Sequence, residues 1–200
     1  MFPSPKEIAE KHGLVAKKSL GQNFIFDLNL TRKIANAAGD LTAAHVIEIG
    51  PGPGGLTQAL LEKNIAKLYA IELDERAIAG LEELNSNKLE IINKDALNLD
   101  LRTIAPKGCA VVANLPYNIG TKLLMDWLDY AGHFKSFTLM FQKEVAERIA
   151  AKEGSRDSGV LSVAAQVFYE VKLQQILKPG AFRPSPKVDS AVLEFRRREK

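Results

Sequence analysis

Short apolar segments alternate with amphipathic segments through most of this chain. Between residues 45 and 141 the apolar segments have the length and the β-branched content of strands: 45–49, 67–73, 88–93, 109–114 and 137–141. Several of the segments between them place apolar residues at helical spacing, as at Leu56, Leu60 and Leu61. Because the strands are apolar almost throughout, the pattern predicts a parallel sheet covered by helices on both faces.

The two ends of the chain depart from this alternation. Residues 1–39 form a basic segment in which we predict a helix over 4–11, a loop, and a second helix capped by Asp27. Near the other end, strands are predicted over 169–177 and 189–197, joined only by a proline-rich segment. Strands without a crossover helix between them pair antiparallel, so we expect this pair at one edge of the sheet.

Composition limits the class of protein. The 200 residues suit one domain, and 46% hydrophobic with 26% charged residues is ordinary for a globular protein. A net charge of +3 is compatible with a nucleic-acid partner without requiring one. Cys109 is the only cysteine, which excludes a disulfide framework, and the three histidines show no metal-binding spacing.

No segment has the ~20 apolar residues of a membrane span. We expect a cytoplasmic protein without a metal.

A glycine-rich loop follows the first predicted strand. Residues 50–55 match the G-x-G-x-x-G pattern of nucleotide-binding loops, and Glu72 ends the next strand, where an acid binds ribose hydroxyls. A pyrophosphate needs backbone N–H donors from such a loop, but Pro51 and Pro53 have none. The loop therefore favours a nucleoside without phosphates, such as S-adenosylmethionine, over a dinucleotide.

Asp95 follows the third predicted strand and has two possible roles. Its carboxylate can accept a hydrogen bond from an adenine amine, as carboxylates do from such donors. It can equally cap a helix that begins at Ala96. The two roles can coexist, and the sequence leaves both open.

The fourth predicted strand ends in Asn114-Leu115-Pro116-Tyr117. Ligands of an open α/β sheet bind at the carboxyl ends of its strands, so chemistry is expected here. The Asn114 side-chain oxygen and the Leu115 carbonyl, held in place by Pro116, are two acceptors suited to a planar exocyclic amine. Tyr117 offers a flat face for stacking. Taken alone, the four residues also fit an ordinary turn after a strand.

Seven motifs in a fixed order extend over almost the whole chain. They are KSLGQNF (18–24), EIGPGPGGLT (48–57), IELD (71–74), DAL (95–97), NLPYNI (114–119), FQKEVAER (141–148) and FRPSPKVDS (182–190). Together they resemble the KsgA-type rRNA adenine N6,N6-dimethyltransferases, and so many motifs in one order are highly specific.

This resemblance implies an α/β fold of the Rossmann-like class I S-adenosylmethionine-dependent methyltransferases, with a seven-stranded, mostly parallel sheet and an antiparallel last strand pair. It assigns Asn23 and Ile25 to the methionine end of the cofactor, Glu72 to the ribose and Asp95 to the adenine. The full cofactor set that it implies is Gln22, Asn23, Ile25, Gly50, Gly52, Glu72, Leu73, Asp95, Ala96 and Asn114. The catalytic set is Asn114, Leu115, Pro116 and Tyr117, and S-adenosylhomocysteine would be the product.

The substrate implied by the resemblance is a pair of adjacent adenines in the 3′-terminal hairpin loop of small-subunit (16S) rRNA, dimethylated on a pre-30S particle during ribosome biogenesis. Tyr117 and Phe182 would stack on the base. Basic residues would contact RNA phosphates: Lys143, Arg148, Arg183 and Lys187, with Lys17, Lys18, Lys152 and Arg156 as further candidates. We expect a monomer without membrane attachment. Family members usually carry a small helical domain after the last strand, so the resemblance implies that residues 1–200 correspond to the catalytic domain alone.

Three alternatives stay open at this point. Macrolide-resistance methyltransferases of large-subunit rRNA typically have Asn-Ile-Pro-Tyr where this chain has Leu115, which favours the small-subunit family. A non-catalytic RNA-binding assembly or transcription factor would not need Asn114, Glu72 and Asp95. An NAD-dependent oxidoreductase is disfavoured by the two prolines of the glycine-rich loop.

Overall fold

A computed structural model describes residues 2–16 and 21–198. The described strands are β1 (His45–Ile49), β2 (Lys67–Glu72), β3 (Leu89–Asn93), β4 (Cys109–Asn114), β5 (Phe134–Gln142), β6 (Tyr169–Leu177) and β7 (Ser190–Arg197). The described α-helices are α1 (Pro5–Lys11), α2 (Leu28–Ala37), α3 (Gly55–Leu61), α4 (Glu75–Glu82), α5 (Gly120–Leu128), α6 (Lys143–Ile149) and α7 (Val160–Phe168). Lys17 and Lys18, expected to contact RNA, lie outside the described residues.

The seven strands form one sheet in the order β3-β2-β1-β4-β5-β7-β6. Strands β1 to β5 are parallel to one another. Strand β7 is antiparallel to both β5 and β6. The α/β class, the mostly parallel sheet and the antiparallel last pair at one edge are therefore confirmed. The last two strands do not follow chain order in the sheet: β7 lies next to β5, and β6 forms the edge.

The central strand β4 is buried on both faces, as its uninterrupted apolar sequence predicts. Val111 and Ala113 face an apolar layer that contains Trp127. Val112 points the other way, into the layer formed with α2 and α3. Because successive strand residues point to opposite faces, a strand covered on both sides has to be apolar throughout.

Three of the described α-helices begin at polar caps. The side chain of Ser4 accepts a hydrogen bond from the backbone N–H of Glu7 at the start of α1. Asp27 and Asp74 cap α2 and α4 in the same way. Such a side chain satisfies an N–H group that lacks a partner within the helix, which typically contributes ~1 kcal/mol. The predicted start of the second helix at Asp27 is confirmed.

The N-terminal segment crosses the carboxyl ends of the strands. Phe24 donates its N–H to the Arg183 carbonyl at 2.9 Å, and Arg183 donates back to the Phe24 carbonyl at 2.8 Å. This two-bond bridge joins a segment near the start of the chain to the proline-rich connection before β7. Residues 21–25 are thereby held above the sheet, where ligands of this fold bind.

Cys109 is a core residue, with 1% of its surface exposed. Burial raises the pKa of its thiol to about 11, so the reactive thiolate form is scarce at neutral pH. Across residues 2–16 and 21–198, no helix has the length and apolar character to cross a bilayer. In the same residues, no group of three or more metal-binding side chains converges.

Candidate active site

A pocket that is partly open to solvent lies at the carboxyl ends of β1, β2 and β4. The structure places the whole predicted cofactor set around it: Gln22, Asn23, Ile25, Gly50, Gly52, Glu72, Leu73, Asp95, Ala96 and Asn114. These residues come from five separate parts of the sequence, and the fold brings them together.

The glycine-rich loop lies against the N-terminal segment. Gly50 and Gly52 have φ angles of 64° and 54°, in the left-handed region that favours glycine. A Cβ atom on Gly52 would lie 2.9 Å from the ring of Phe24. The loop therefore needs glycine both for its conformation and for its close approach to Phe24. Pro51 and Pro53 also line the pocket, where they offer no N–H donor.

Glu72 joins β2 to this loop through backbone hydrogen bonds. Its Oε2 atom accepts from the Gly52 N–H at 3.1 Å, and its Oε1 atom accepts from Leu73 and Asp74 at 2.8 and 2.9 Å. Burial raises the pKa of the Glu72 carboxyl group, and these three N–H donors partly offset that effect. Each carboxylate oxygen has two lone pairs, so acceptor capacity remains for hydroxyl groups in the pocket.

Asp95 acts as a helix cap and also lines the pocket. Its Oδ1 atom accepts from the Leu97 N–H at 3.0 Å, and its Oδ2 atom accepts from the Asn98 amide at 3.1 Å. The capping role that the sequence left open is therefore present. A contact with an adenine amine would have to use the remaining lone pairs of the same carboxylate.

The Asn114 side chain is oriented by the N-terminal segment. Its amide nitrogen donates to the Asn23 carbonyl at 3.1 Å, which turns the Oδ1 atom away from that segment. The Pro116 carbonyl is already an acceptor for Ile119 and Gly120 at 3.1 and 3.0 Å. For the described residues, no backbone hydrogen bond to the Leu115 carbonyl is present. The Asn114 side-chain oxygen and the Leu115 carbonyl are therefore available as acceptors.

Tyr117 lies beside the pocket and is held by β7. Its hydroxyl group forms a hydrogen bond with the Ser190 hydroxyl, and Ser190 is fully buried. Burial raises the pKa of Tyr117, so the phenol stays protonated at neutral pH. The partner residue was not singled out in the sequence, although Ser190 ends the last motif. The hydrogen bond limits how far the Tyr117 ring can move.

Phe182 does not lie where the sequence placed it. Its side chain has 0% exposed surface and packs in the apolar layer that includes Ile25 and Ile34. A base cannot stack on a ring without an exposed face, so the expected second stacking contact is wrong for this residue. Phe182 instead packs beneath the N-terminal segment that borders the pocket.

The four basic residues expected to contact RNA lie at the surface. Lys143 begins α6 directly after β5, and its N–H donates to the Asp189 carbonyl near Lys187. Both lysines are therefore close to the carboxyl end of β5. Arg183 donates to the carbonyls of Gly180 and Phe182 at 3.0 and 2.9 Å. Arg148, in the last turn of α6, lies one and a half turns farther along that helix.

Several pocket residues were not predicted as site residues. Glu48, Thr31, Ile34, Lys94 and Ile119 also line the cavity. Glu48 carried the one available signal, because it is a charged residue inside an otherwise apolar strand. The others come from elements whose proximity to the glycine-rich loop is a consequence of packing.

Comparison with known proteins identifies the family. A family model described as "Ribosomal RNA adenine dimethylase" matches residues 13–200. This chain belongs to that family. A Ribosomal RNA small subunit methyltransferase A from Paracoccus denitrificans is 51% identical over 97% of this chain, and its counterpart from Ruegeria sp. (strain TM1040) is 50% identical over 97%. The chain spans 71% of the length of each of these curated relatives.

Solved structures of dimethylases and related enzymes share the fold. A dimethyladenosine transferase from Plasmodium falciparum superposes with a TM-score of 0.78 at 31% identity, covering 88% of this chain and 63% of that one. The 23S rRNA methyltransferase ErmE also gives a TM-score of 0.78, at 29% identity, covering 89% of this chain and 71% of that one. The dimethylase-family chain therefore has a class I methyltransferase fold.

Proposed function

We propose that this protein transfers methyl groups from S-adenosylmethionine to the N6 amines of two adjacent adenines in the 3′-terminal hairpin loop of small-subunit rRNA. The observation that carries the proposal is the orientation of Asn114. Its amide donates to the Asn23 carbonyl, so its oxygen is left as an acceptor beside the Leu115 carbonyl. Two acceptors at the end of a pocket suited to a nucleoside match the two N–H groups of an exocyclic amine.

The chemistry of the residues that line the pocket fits S-adenosylmethionine. Glu72 and Asp95 supply acceptors for ribose hydroxyls and an adenine amine, and Leu73 and Ala96 supply apolar surface near them. Asn23 and Ile25 belong to the N-terminal segment that borders the pocket. We assign the amino-acid end of the cofactor to this side of the pocket. S-adenosylmethionine supplies an electrophilic methyl group when it is bound.

The catalytic contribution of the protein is to orient the amine. In free adenine the N6 lone pair is delocalised into the ring, which makes the amine a poor nucleophile. Hydrogen bonds from both N–H groups, to the Asn114 oxygen and the Leu115 carbonyl, turn that lone pair out of the ring plane. Tyr117, held by Ser190, stacks on the base. The rate enhancement then comes mainly from positioning in a near-attack geometry.

Proton removal needs no dedicated base before transfer, because the methylated ammonium product is itself acidic. After the first transfer only one N–H group remains, so a second transfer requires the base to rotate in the pocket. A target in an RNA loop reaches such a site at modest unstacking cost. The exposed Lys143, Arg183 and Lys187 are the proposed phosphate contacts around the entrance, with Arg148 farther along α6.

The names of the relatives favour the small subunit as the source of substrate. Relatives at about 50% identity carry a small-subunit name, whereas the large-subunit enzyme ErmE is 29% identical. The acceptors at Asn114 and Leu115 also favour an enzyme over a non-catalytic RNA-binding factor.

The test is methyl transfer from labelled S-adenosylmethionine to small ribosomal subunits prepared without this modification, with large subunits as the control. Label on adenines of the small subunit alone is the expected result. Label on the large subunit would instead favour the macrolide-resistance activity. Cofactor binding without any label would favour a binding factor.

Asn114→Ala tests the proposed mechanism directly. We expect turnover to fall by about 100-fold or more, since positioning groups of this kind commonly contribute that much. Asn87→Ala changes an exposed asparagine in a surface turn and should leave turnover unchanged. The mechanism is wrong if Asn114→Ala folds, binds cofactor and retains near-normal turnover.

A further inference from the structure

A second groove lies at the opposite end of the sheet from the active site. Its lining comes from four parts of the chain: the end of α2, the residues before β4, the start of β5 and the end of β7. Because β7 is antiparallel to β5, Arg196 near its end pairs with Ser136 near the start of β5. The mechanism above uses none of the residues in this groove.

The groove is strongly basic. Its basic residues are Lys107, Lys135, Arg196, Arg197 and Arg198, and its acidic residues are Asp40 and Glu194. These side chains leave an excess of three positive charges in the groove, which equals the net charge of +3 of the whole chain. The remainder of the chain is therefore neutral overall, and the groove is where a polyanion would be attracted.

Most of these positive charges are not cancelled by a neighbouring carboxylate. In the part of the chain that the structure describes, four of the five form no ion pair: Lys107, Lys135, Arg197 and Arg198. Arg197 donates instead to the Gly132 carbonyl at 2.6 Å, and Arg198 donates to the Gln166 carbonyl at 2.9 Å. An uncharged carbonyl orients a guanidinium group without neutralising it, and each arginine keeps further N–H donors for a ligand.

The groove offers cations without apolar or aromatic surface. None of the large apolar side chains that are exposed in the described residues lines it. Its one aromatic residue, Phe134, is fully buried. The groove therefore has no ring on which a base could stack and no apolar patch of the kind that marks a protein or membrane contact. The chemistry that remains matches the phosphodiester backbone of RNA.

The groove is far from the entrance of the active site. Lys135 is the second residue of β5, and Lys143 follows the last residue of that strand. The eight residues between these positions correspond to about 26 Å along the strand. An RNA that contacts both lysines has to extend over at least this distance. The groove therefore meets a different RNA segment from the loop that carries the target adenines.

We propose that this basic groove binds the phosphate backbone of a second segment of the rRNA while the target loop occupies the active site. The inference rests on the proposed function and adds a remote RNA-binding surface to it. Phosphate contacts orient a protein on its nucleic acid without reading the sequence. The groove thereby favours a large folded RNA over an isolated hairpin as substrate.

The salt dependence of binding measures these phosphate contacts. Lys107→Gln/Lys135→Gln removes two exposed cations without ion-pair partners, so the double variant should fold normally. With unmodified small ribosomal subunits, we expect binding at least about tenfold weaker than wild type near 0.1 M salt. The slope of log K against log salt should fall in magnitude by about 1.5.

A matched double variant controls for the loss of charge. Lys33→Gln/Lys88→Gln also removes two lysines without ion-pair partners, both outside the groove. It should leave the affinity and the salt slope unchanged. Equal affinities and equal slopes for the two double variants overturn the inference. Weaker binding of the groove variant with an unchanged slope also overturns it, because the groove would then contact a protein of the subunit.

Cleavage by a tethered iron chelate locates the RNA segment. Cys109 is the only cysteine and is buried, so a cysteine introduced at the surface can be labelled selectively. Ser136 lines the groove, and Ser136→Cys keeps all five cations. The labelled protein, bound to small subunits, should cleave rRNA outside the target hairpin, at positions that labelled Lys88→Cys does not cleave. Cleavage confined to the target hairpin contradicts a second RNA segment.

The outcomes also separate this inference from the proposed function. If the wild-type protein methylates small subunits and the groove variant binds like its control, only the role of the groove is wrong. If the wild-type protein binds small subunits without transferring a methyl group, the proposed function fails. The difference in salt slope between the two double variants then still decides whether the groove binds RNA.

Discussion

Asn114 and Tyr117 each depend on a hydrogen-bond partner far away in the sequence. Asn114 donates to a carbonyl 91 residues earlier, and Tyr117 bonds to a hydroxyl 73 residues later. The positions of the two side chains therefore depend on the N-terminal segment and on β7 respectively.

Removing the Tyr117–Ser190 hydrogen bond should lower turnover by loosening the ring. We expect Tyr117→Phe and Ser190→Ala each to reduce kcat several-fold with little change in cofactor affinity, since neither residue lines the cofactor pocket. The double variant should be no slower than Tyr117→Phe, because both changes remove the same bond. Additive losses in single-turnover assays would show that Ser190 acts independently of the ring.

Glu48 should make the cofactor-free protein less stable as the pH rises. Its pKa is about 8 in the folded protein, compared with the usual 4.5, so the folded state holds a proton that the unfolded state has lost. Stability from this group is complete below about pH 4.5 and is lost as the pH rises through 8.

Glu48→Gln has no such proton and isolates the effect. Between pH 5 and 8, the free energy of unfolding of this variant should rise relative to that of the wild-type protein by up to about 1.4 kcal/mol per pH unit. Urea unfolding of both proteins over this range provides the measurement. Parallel pH profiles would contradict the raised pKa.

Helix α1 depends on a glycine in α4. A Cβ atom on Gly80 would lie 2.4 Å from the Cγ2 atom of Ile8, which is fully buried. Ile8 belongs to a small apolar cluster with Leu81 and Leu84. The close approach of these two helices anchors the N-terminal part of the chain to the β2–β3 side of the sheet.

Gly80→Ala should therefore destabilise the protein despite a better helix propensity. Alanine gains about 1 kcal/mol over glycine in a helix, whereas overpacking a tight contact typically costs about 1–3 kcal/mol. A net loss of about 1 kcal/mol in urea denaturation is expected. Gly180→Ala is the matched control, because no atom lies within 4 Å of its added Cβ. A stabilised Gly80→Ala variant would show that α1 can shift enough to relieve the contact between the added methyl group and Ile8.

The whole domain should distinguish S-adenosylmethionine from NAD. At a concentration of 100 times its Kd, a ligand that binds only the folded state adds about 2.7 kcal/mol of stability. For a domain of this size that corresponds to a rise in Tm of roughly 5–10 °C. S-adenosylmethionine should produce this rise in a thermal-shift assay, and NAD should produce none. A rise with NAD and none with S-adenosylmethionine would favour the alternative of an NAD-dependent oxidoreductase.

Much of this architecture is predictable from local pattern. Strands β4 and β6 begin and end at their predicted residues, and the helix caps at Asp27 and Asp74 are visible as polar residues before amphipathic segments. Glu72, Asp95 and Asn114 could be predicted at the pocket because they lie at the ends of parallel strands, which meet at one edge of a sheet. Gln22, Asn23 and Ile25 were assigned only through the resemblance of their motif to the family.

Sequence by itself determined the class of fold, the bounds of β1, β4 and β6, and the motifs around the pocket, because these depend on short-range periodicity and turn chemistry, whereas β5 begins three residues before its predicted start. Only the tertiary structure decided that β7 lies inside β6, that Phe182 is buried, and that Asn114 and Tyr117 bond to Asn23 and Ser190. Those features join segments distant in sequence. They are decided by how whole layers bury apolar surface and satisfy polar groups together, which no local pattern encodes.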